Sequence, residues 1–138
     1  MTDNRVPSFV DTNVLVYAFD KSGSAKQRAA QRLMNELVEQ DRLRVSTQVL
    51  QELYVTARRC SSEEALAVVE DLAAWPLMVV DYAAIRAAVR LADQATLSFW
   101  DALVVVAAAR SGASVLHTED MTDRQDILGV RISDPFAG

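Results

Sequence analysis

The chain has 138 residues, 51% of them hydrophobic and 24% charged, which is the length of one ordinary domain with apolar material for one sizeable core. One cysteine, Cys60, excludes an intramolecular disulfide and a thiolate metal cluster, and one histidine, His117, excludes a site needing two imidazoles, so carboxylates are the remaining metal ligands. The net charge of −5, with two lysines and twelve scattered arginines, argues against tight nonspecific binding of nucleic acid.

Apolar runs of strand length alternate with longer segments of helical period, which predicts an α/β fold with a mostly parallel sheet of four to five strands in a single domain spanning 1–138. The first strand falls at 8–10. A helix follows over 24–40, with Ala25, Ala29, Ala30, Leu33, Met34, Leu37 and Val38 on the stripe facing the sheet. Next come a weak strand at 43–45, helices over 47–58 and 62–74, and a strand at 77–80. Ser61 or Ser62 with Glu64 starts the second of those helices. Two further helices cover 82–95 and 99–110; Ser98 with Asp101 opens the last, and Gly112 stands where a left-handed C-terminal residue is expected. Strands at 114–117 and 130–132 complete the pattern, and no linker, repeat or low-complexity tract interrupts it. The longest apolar stretch, 102–109, is far short of the roughly 20 residues that cross a bilayer, and the N-terminus lacks an export-signal pattern, so a cytoplasmic protein without a membrane segment is expected.

Four acidic residues stand out by position. Asp11 directly follows the first strand, and Asp120 follows the strand at 114–117, so both emerge at the edge where open α/β sheets place their sites. Glu52 interrupts an apolar-faced helix in Val49-Leu50-Gln51-Glu52-Leu53, and Asp101 lies in the first turn of an alanine-rich one. Each has an ordinary structural role: Asp11 and Asp101 as helix caps, Glu52 as a surface residue, Asp120 as part of an exposed acidic loop with Glu119 and Asp123. His117 reads as a strand residue, and Trp75 and Trp100 as core or interface anchors. Together the four carboxylates at one sheet edge would raise one another's pKa unless a cation were present. Oxygen-only ligation suits Mg²⁺ or Mn²⁺, and such ions serve phosphodiester hydrolysis. The negative charge would then gather where a metal neutralises it, leaving arginines such as Arg58 and Arg59 to meet phosphates.

The stretches Phe9-Val10-Asp11-Thr12-Asn13-Val14-Leu15, Gln51-Glu52-Leu53, Leu97-Ser98-Phe99-Trp100-Asp101-Ala102-Leu103 and Leu116-His117-Thr118-Glu119-Asp120-Met121 resemble, in order, spacing and context, the PIN-domain family, and within it the VapC-type toxins. The resemblance runs from about Pro7 to Ile132. It implies a parallel sheet flanked by helices, Mg²⁺- or Mn²⁺-dependent endoribonuclease activity, a homodimer, and neutralisation by a cognate antitoxin as one half of a type II toxin–antitoxin pair. Asp11, Glu52, Asp101 and Asp120 match the family's acidic positions as catalytic residues and metal ligands, with Glu119 the ambiguous neighbour; Thr12, Asn13, Ser98 and Thr118 match polar positions that orient them. The mechanism to expect is in-line attack on phosphorus by a metal-activated water, leaving a 5′-phosphate, with single-stranded RNA loops as targets. The antitoxin is expected to plug the acidic cleft with an arginine or to cover it with an apolar helix, and the Trp75-Pro76 corner and the early helix are candidate dimer or partner surfaces.

Two other classes compete. A phosphotransfer or phosphatase domain also uses an aspartate at a strand end with Mg²⁺, but it needs a lysine near a strand end; Lys21 and Lys26 lie by the early helix, and two residues after Asp11 stands Asn13, not a second aspartate. A non-catalytic interaction module of the same fold is opposed by the presence of all four acids, since buried carboxylates without a cation cost several kcal/mol. Stabilisation by Mn²⁺ separates the module from the enzyme.

Overall fold

The computed structural model describes residues 6–137. In chain order the elements are β1 (Ser8–Val10), α1 (Thr12–Phe19), α2 (Ala25–Glu39), β2 (Leu43–Ser46), α3 (Thr47–Ala57), α4 (Ser62–Ala73), β3 (Leu77–Met78), α5 (Tyr82–Ala95), α6 (Phe99–Arg110), β4 (Val115–His117), β5 (Asp126–Ile127) and β6 (Val130–Ser133). The strands form one sheet in the order β3-β2-β1-β4-β6-β5, parallel throughout except for the β5–β6 hairpin. The α/β class and the mostly parallel sheet agree with the sequence, but the sheet has six strands among the described residues, not four to five.

Local chemistry accounts for the helix starts. Ser24, Ser46, Ser61, Asp81 and Ser98 each accept a hydrogen bond from the backbone N–H three residues on, which satisfies one of the donors that a first helical turn leaves open. Helix α6 is apolar on every side and buried from Ala102 through Ala108, so it sits inside the molecule and not on it. Around it the fully buried Phe9, Leu15, Leu37, Leu43, Leu53, Leu116 and Ile132 bring β1, β2, β4, β6 and helices α1 to α3 into one core. Burial of each such side chain contributes about 1.5–3 kcal/mol. The stripe on α2 is narrower than the spacing suggested: Gln27, Ala30, Met34 and Leu37 are buried, whereas Ala25 and Val38 are exposed, because the helix packs chiefly on α1 and reaches only β2 of the sheet. No single helix among the described residues is long and apolar enough to cross a membrane.

Chain direction decides where a site can form. From β1 the chain moves outward to β2 and β3, then returns to the other side of β1 to lay down β4. The carboxyl ends of β1 and β4 therefore flank the point where strand order reverses, which in open parallel sheets is where the crevice opens.

The β5–β6 hairpin turns through Leu128 (φ +53°) and Gly129 (φ +77°), both left-handed. A two-residue turn of this kind favours Asn-Gly or Asp-Gly, and an L-residue with a branched side chain costs roughly 1–2 kcal/mol there. Leu128 is 58% exposed, so its side chain recovers little of that by burial. Leu128→Asn is expected to stabilise the protein by about 1 kcal/mol in urea unfolding; a lower midpoint would show that Leu128 is held by contacts worth more than the turn strain.

Candidate active site

The register of β1 against β4 sets Val10 opposite His117, which brings Asp11 and Thr118 side by side just beyond the strand ends. The Asp11 N–H donates to the His117 carbonyl (3.0 Å), and the Thr118 N–H to that of Ser133 (3.0 Å), so backbone bonds fix both positions. Asp11 is 5% exposed and serves as N-cap of α1, accepting from the Thr12 N–H at Oδ1 (2.7 Å). The hydroxyl of Thr118, itself fully buried, donates to Asp11 Oδ2 (2.9 Å).

Asn13 ties the crevice together. Its Nδ2 lies 2.9 Å from Asp120 Oδ2, 3.1 Å from Thr118 Oγ1 and 3.5 Å from Asp11 Oδ2, while its Oδ1 accepts from the Glu119 N–H (3.4 Å). Glu52 comes in from α3, where Thr12 Oγ1 donates to its Oε1 (3.3 Å). Asp101 comes in from the first turn of α6, where Ser98 caps the helix by accepting from the Asp101 N–H (3.1 Å). The structural roles considered for Asp11 and Asp101 are thus both real, and they coexist with membership of the cluster.

Electrostatics bind the four acids into one unit. Burial above all pushes the Asp11 carboxyl up to about 6; bonds from Thr12 and Thr118 oppose this, and the charges of Glu52 and Asp120 add to it. Burial also raises Glu52, whose carboxyl feels Asp101 and Asp120, and raises Asp101, which feels Asp120. None of the four makes an ion pair among the described residues, where the bridges are Lys21–Glu64, Lys26–Glu119, Arg110–Asp81, Arg124–Asp123 and Arg131–Asp126. Nor do three Asp, Glu, His or Cys side chains among the described residues already converge as a metal-binding group; hydrogen bonds from Thr12, Asn13 and Thr118 hold Glu52, Asp120 and Asp11 instead. An all-oxygen set carrying uncompensated negative charge fits a hard divalent cation and offers nothing to a soft one. His117 is no acid–base partner at neutral pH: burial, and then the Arg42 guanidinium, hold its imidazole down to about 4.

The structure revises several expectations. Glu52 is exposed on α3, the surface position considered for it, because the apolar face of that helix is carried by Val49, Leu50 and Leu53. Arg58 and Arg59 are exposed at the far end of α3, six and seven residues past Glu52, about 9–10 Å along the helix axis, and are not drawn into the cluster. Trp75 is half-buried against the core, and Trp100 is the exposed tryptophan, at 63%. Glu119 turns away from the crevice into an ion pair with Lys26 (2.9 Å), whose ammonium also lies 5.0 Å from the Tyr17 ring centre and 5.4 Å from that of Phe136. Sequence reasoning missed Lys26 as a partner because 93 positions separate it from Glu119. It also missed Gln48, buried one turn before Glu52, whose signal was a polar residue at i−4 on the same helix face.

The family model described as PIN domain matches residues 8–125, an interval that contains all four acids. The chain belongs to the PIN-domain family. Solved structures share this PIN fold over nearly the whole chain. One is a toxin–antitoxin complex from Klebsiella pneumoniae, 21% identical, with a TM-score of 0.72 over 94% of this chain and 98% of that one. Another is the DNA-bound VapBC from Salmonella typhimurium, 23% identical, TM-score 0.67, with the same coverage. VapC20 of Mycobacterium tuberculosis, described as a sarcin–ricin loop cleaving toxin, is 20% identical, with a TM-score of 0.62 over 79% of this chain and 86% of that one. No curated protein matches the sequence. At these identities the likeness to the PIN structures is one of fold.

Proposed function

We propose that this PIN domain is a divalent-metal-dependent endoribonuclease and the toxin of a type II toxin–antitoxin pair. The observation that carries the reading is that four carboxylates from four separate segments come within electrostatic reach of one another at the β1–β4 crevice, with no cationic side chain paired to any of them among the described residues. Membership of the PIN-domain family, and a fold shared with toxins of toxin–antitoxin complexes, one of them described as cleaving an RNA loop, support it.

Asp11, Glu52, Asp101 and Asp120 would hold Mg²⁺ or Mn²⁺, with Asp11 central because backbone and Thr118 fix its carboxylate before any ion arrives. A cation bound there supplies an activated water and neutralises charge developing on the phosphodiester. Thr12, Asn13, Ser98 and Thr118 orient the carboxylates, a role whose loss typically costs 10–100-fold. Arg58 and Arg59, exposed at the end of α3, would meet phosphates of a substrate long enough to reach them. An antitoxin partner, a homodimer and a cytoplasmic setting belong to the same reading, since the structural neighbours include toxin–antitoxin complexes.

The deciding experiment is cleavage of a panel of structured RNAs, the sarcin–ricin loop included, by wild type and Asp101→Asn with Mg²⁺, Mn²⁺ or EDTA. Wild type is expected to cut only with metal, leaving 5′-phosphates, and the variant to lose on the order of 100-fold or more in rate. Equal cleavage in EDTA, or no Mn²⁺ binding at all, would sink the assignment. Co-expression with the adjacent reading frame is expected to abolish cleavage.

A further inference from the structure

Gln48 is 5% exposed and lies in the first turn of α3. Its Nε2 donates to the Trp100 carbonyl in the first turn of α6 (3.4 Å), the peptide next to Asp101. Its Oε1 is buried and accepts no hydrogen bond from the described residues, and no other buried side-chain atom among them is left so. An unpaired buried acceptor destabilises the fold, and an apolar side chain of the same size would avoid that cost. Packing therefore does not account for a glutamine here.

Position does. Gln48 and Glu52 stand four residues apart on one face of α3, and Gln48 reaches across to the helix that bears Asp101. The Gln48 amide lies close enough to the Glu52 carboxyl to offset, after Thr12, part of the effect of burial on it.

Building on the nuclease reading, we propose that Gln48 is a positioning residue which holds Glu52 and Asp101 at a set separation by clamping the first turns of α3 and α6 together, at the expense of an unsatisfied oxygen. It touches neither the substrate nor the cation. It acts through the two acids, one on each helix.

The test compares wild type with Gln48→Met, which keeps length and volume while removing both polar atoms, and with Gln48→Leu as a second apolar variant. Four quantities are read: the metal-free melting temperature, the Mn²⁺ concentration giving half the maximal rise in melting temperature, and kcat and KM for RNA. Gln48→Met is expected to melt at or above wild type in EDTA, to need about 10-fold more Mn²⁺, and to lose about 10–100-fold in kcat with KM unchanged. A lower metal-free melting temperature with an unchanged Mn²⁺ requirement would make Gln48 a structural tie and overturn the proposal, as would unchanged values throughout. A raised KM with unchanged kcat would place Gln48 on the RNA and overturn it too. The parent reading fails separately, when wild type itself neither responds to Mn²⁺ nor cuts.

Discussion

Asp11→Asn is expected to melt several degrees above wild type in EDTA at pH 7.5 while losing cleavage by at least about two orders of magnitude. The Asp11 carboxyl is 5% exposed and its pKa stands near 6, against an ordinary 3.8, chiefly because burial disfavours the charge. A folded-state pKa raised by about two units means that above both values the ionised form destabilises the fold by on the order of 3 kcal/mol. Asparagine removes the charge and keeps an oxygen for the Thr12 N–H; the Thr118 hydroxyl, which already accepts from Asn13 Nδ2 and the Asp120 N–H, loses its acceptor at this position, which takes back about 1 kcal/mol of the gain. The gain should vanish at pH 4, where aspartate is protonated in the folded state as well. A variant that melts below wild type at pH 7.5 and still cuts RNA would refute both the strain assigned to Asp11 and its place in the site.

Adding Mn²⁺ is expected to raise the melting temperature strongly at pH 7.5 and hardly at pH 5, because the cation competes with the proton for the same carboxylates. At 100 times the dissociation constant the gain is about 2.7 kcal/mol. The metal-free background needs its own signs. For Asp11 the folded state binds more protons between about 3.8 and 6, so stability falls as pH rises through that window. The raised pKa values of Glu52 and Asp101 act in the same direction. For His117 the folded pKa of about 4 lies below the ordinary 6.5, so the unfolded chain binds the extra proton and stability rises over nearly the same interval. The two slopes oppose, and the wild-type melting temperature in EDTA should vary little from pH 4 to 6.5. Asp11→Asn removes one of them, so its melting temperature should climb with pH across that range. Melting curves at five pH values, with and without Mn²⁺, check all of this; a metal effect as large at pH 5 as at pH 7.5 would exclude carboxylate ligation.

Most of the fold was legible because most of its elements carry strong local signals. Helices α5 and α6 appear with the bounds read from the sequence, since Asp81 and Ser98 mark their starts and Gly112, at φ +77°, follows the end of α6. Helix α1 went unlisted, although Asp11 was read as a possible cap: Thr12, Val14 and Val16 are β-branched and Tyr17 and Phe19 aromatic, a poor helical composition held in place by burying Val14, Leu15 and Ala18. Strand β5 was missed because two residues carry no period, and because Leu128-Gly129 lacks the usual turn signature. The four acids were legible from their positions at strand ends and in helix turns. What joins them was less so, since Asn13 with Asp120, Thr12 with Glu52 and Gln48 with Trp100 are bonds across 107, 40 and 52 positions that no local pattern records. The exposure of Glu52 depends likewise on how α3 meets its neighbours.

The buried helix α6 and the short β5–β6 hairpin give the acid cluster two unlike foundations. Asp101 is mounted on a helix buried from Ala102 through Ala108, whereas Asp120 stands on the turn leading into the β5–β6 hairpin, whose two-residue β5 is the edge strand of the sheet. One wall of the crevice is therefore set in the core and the other lies at its margin. The exposed residues 122–126 of that margin can be varied at far less risk to the fold than α6, where seven consecutive residues from Ala102 to Ala108 are buried.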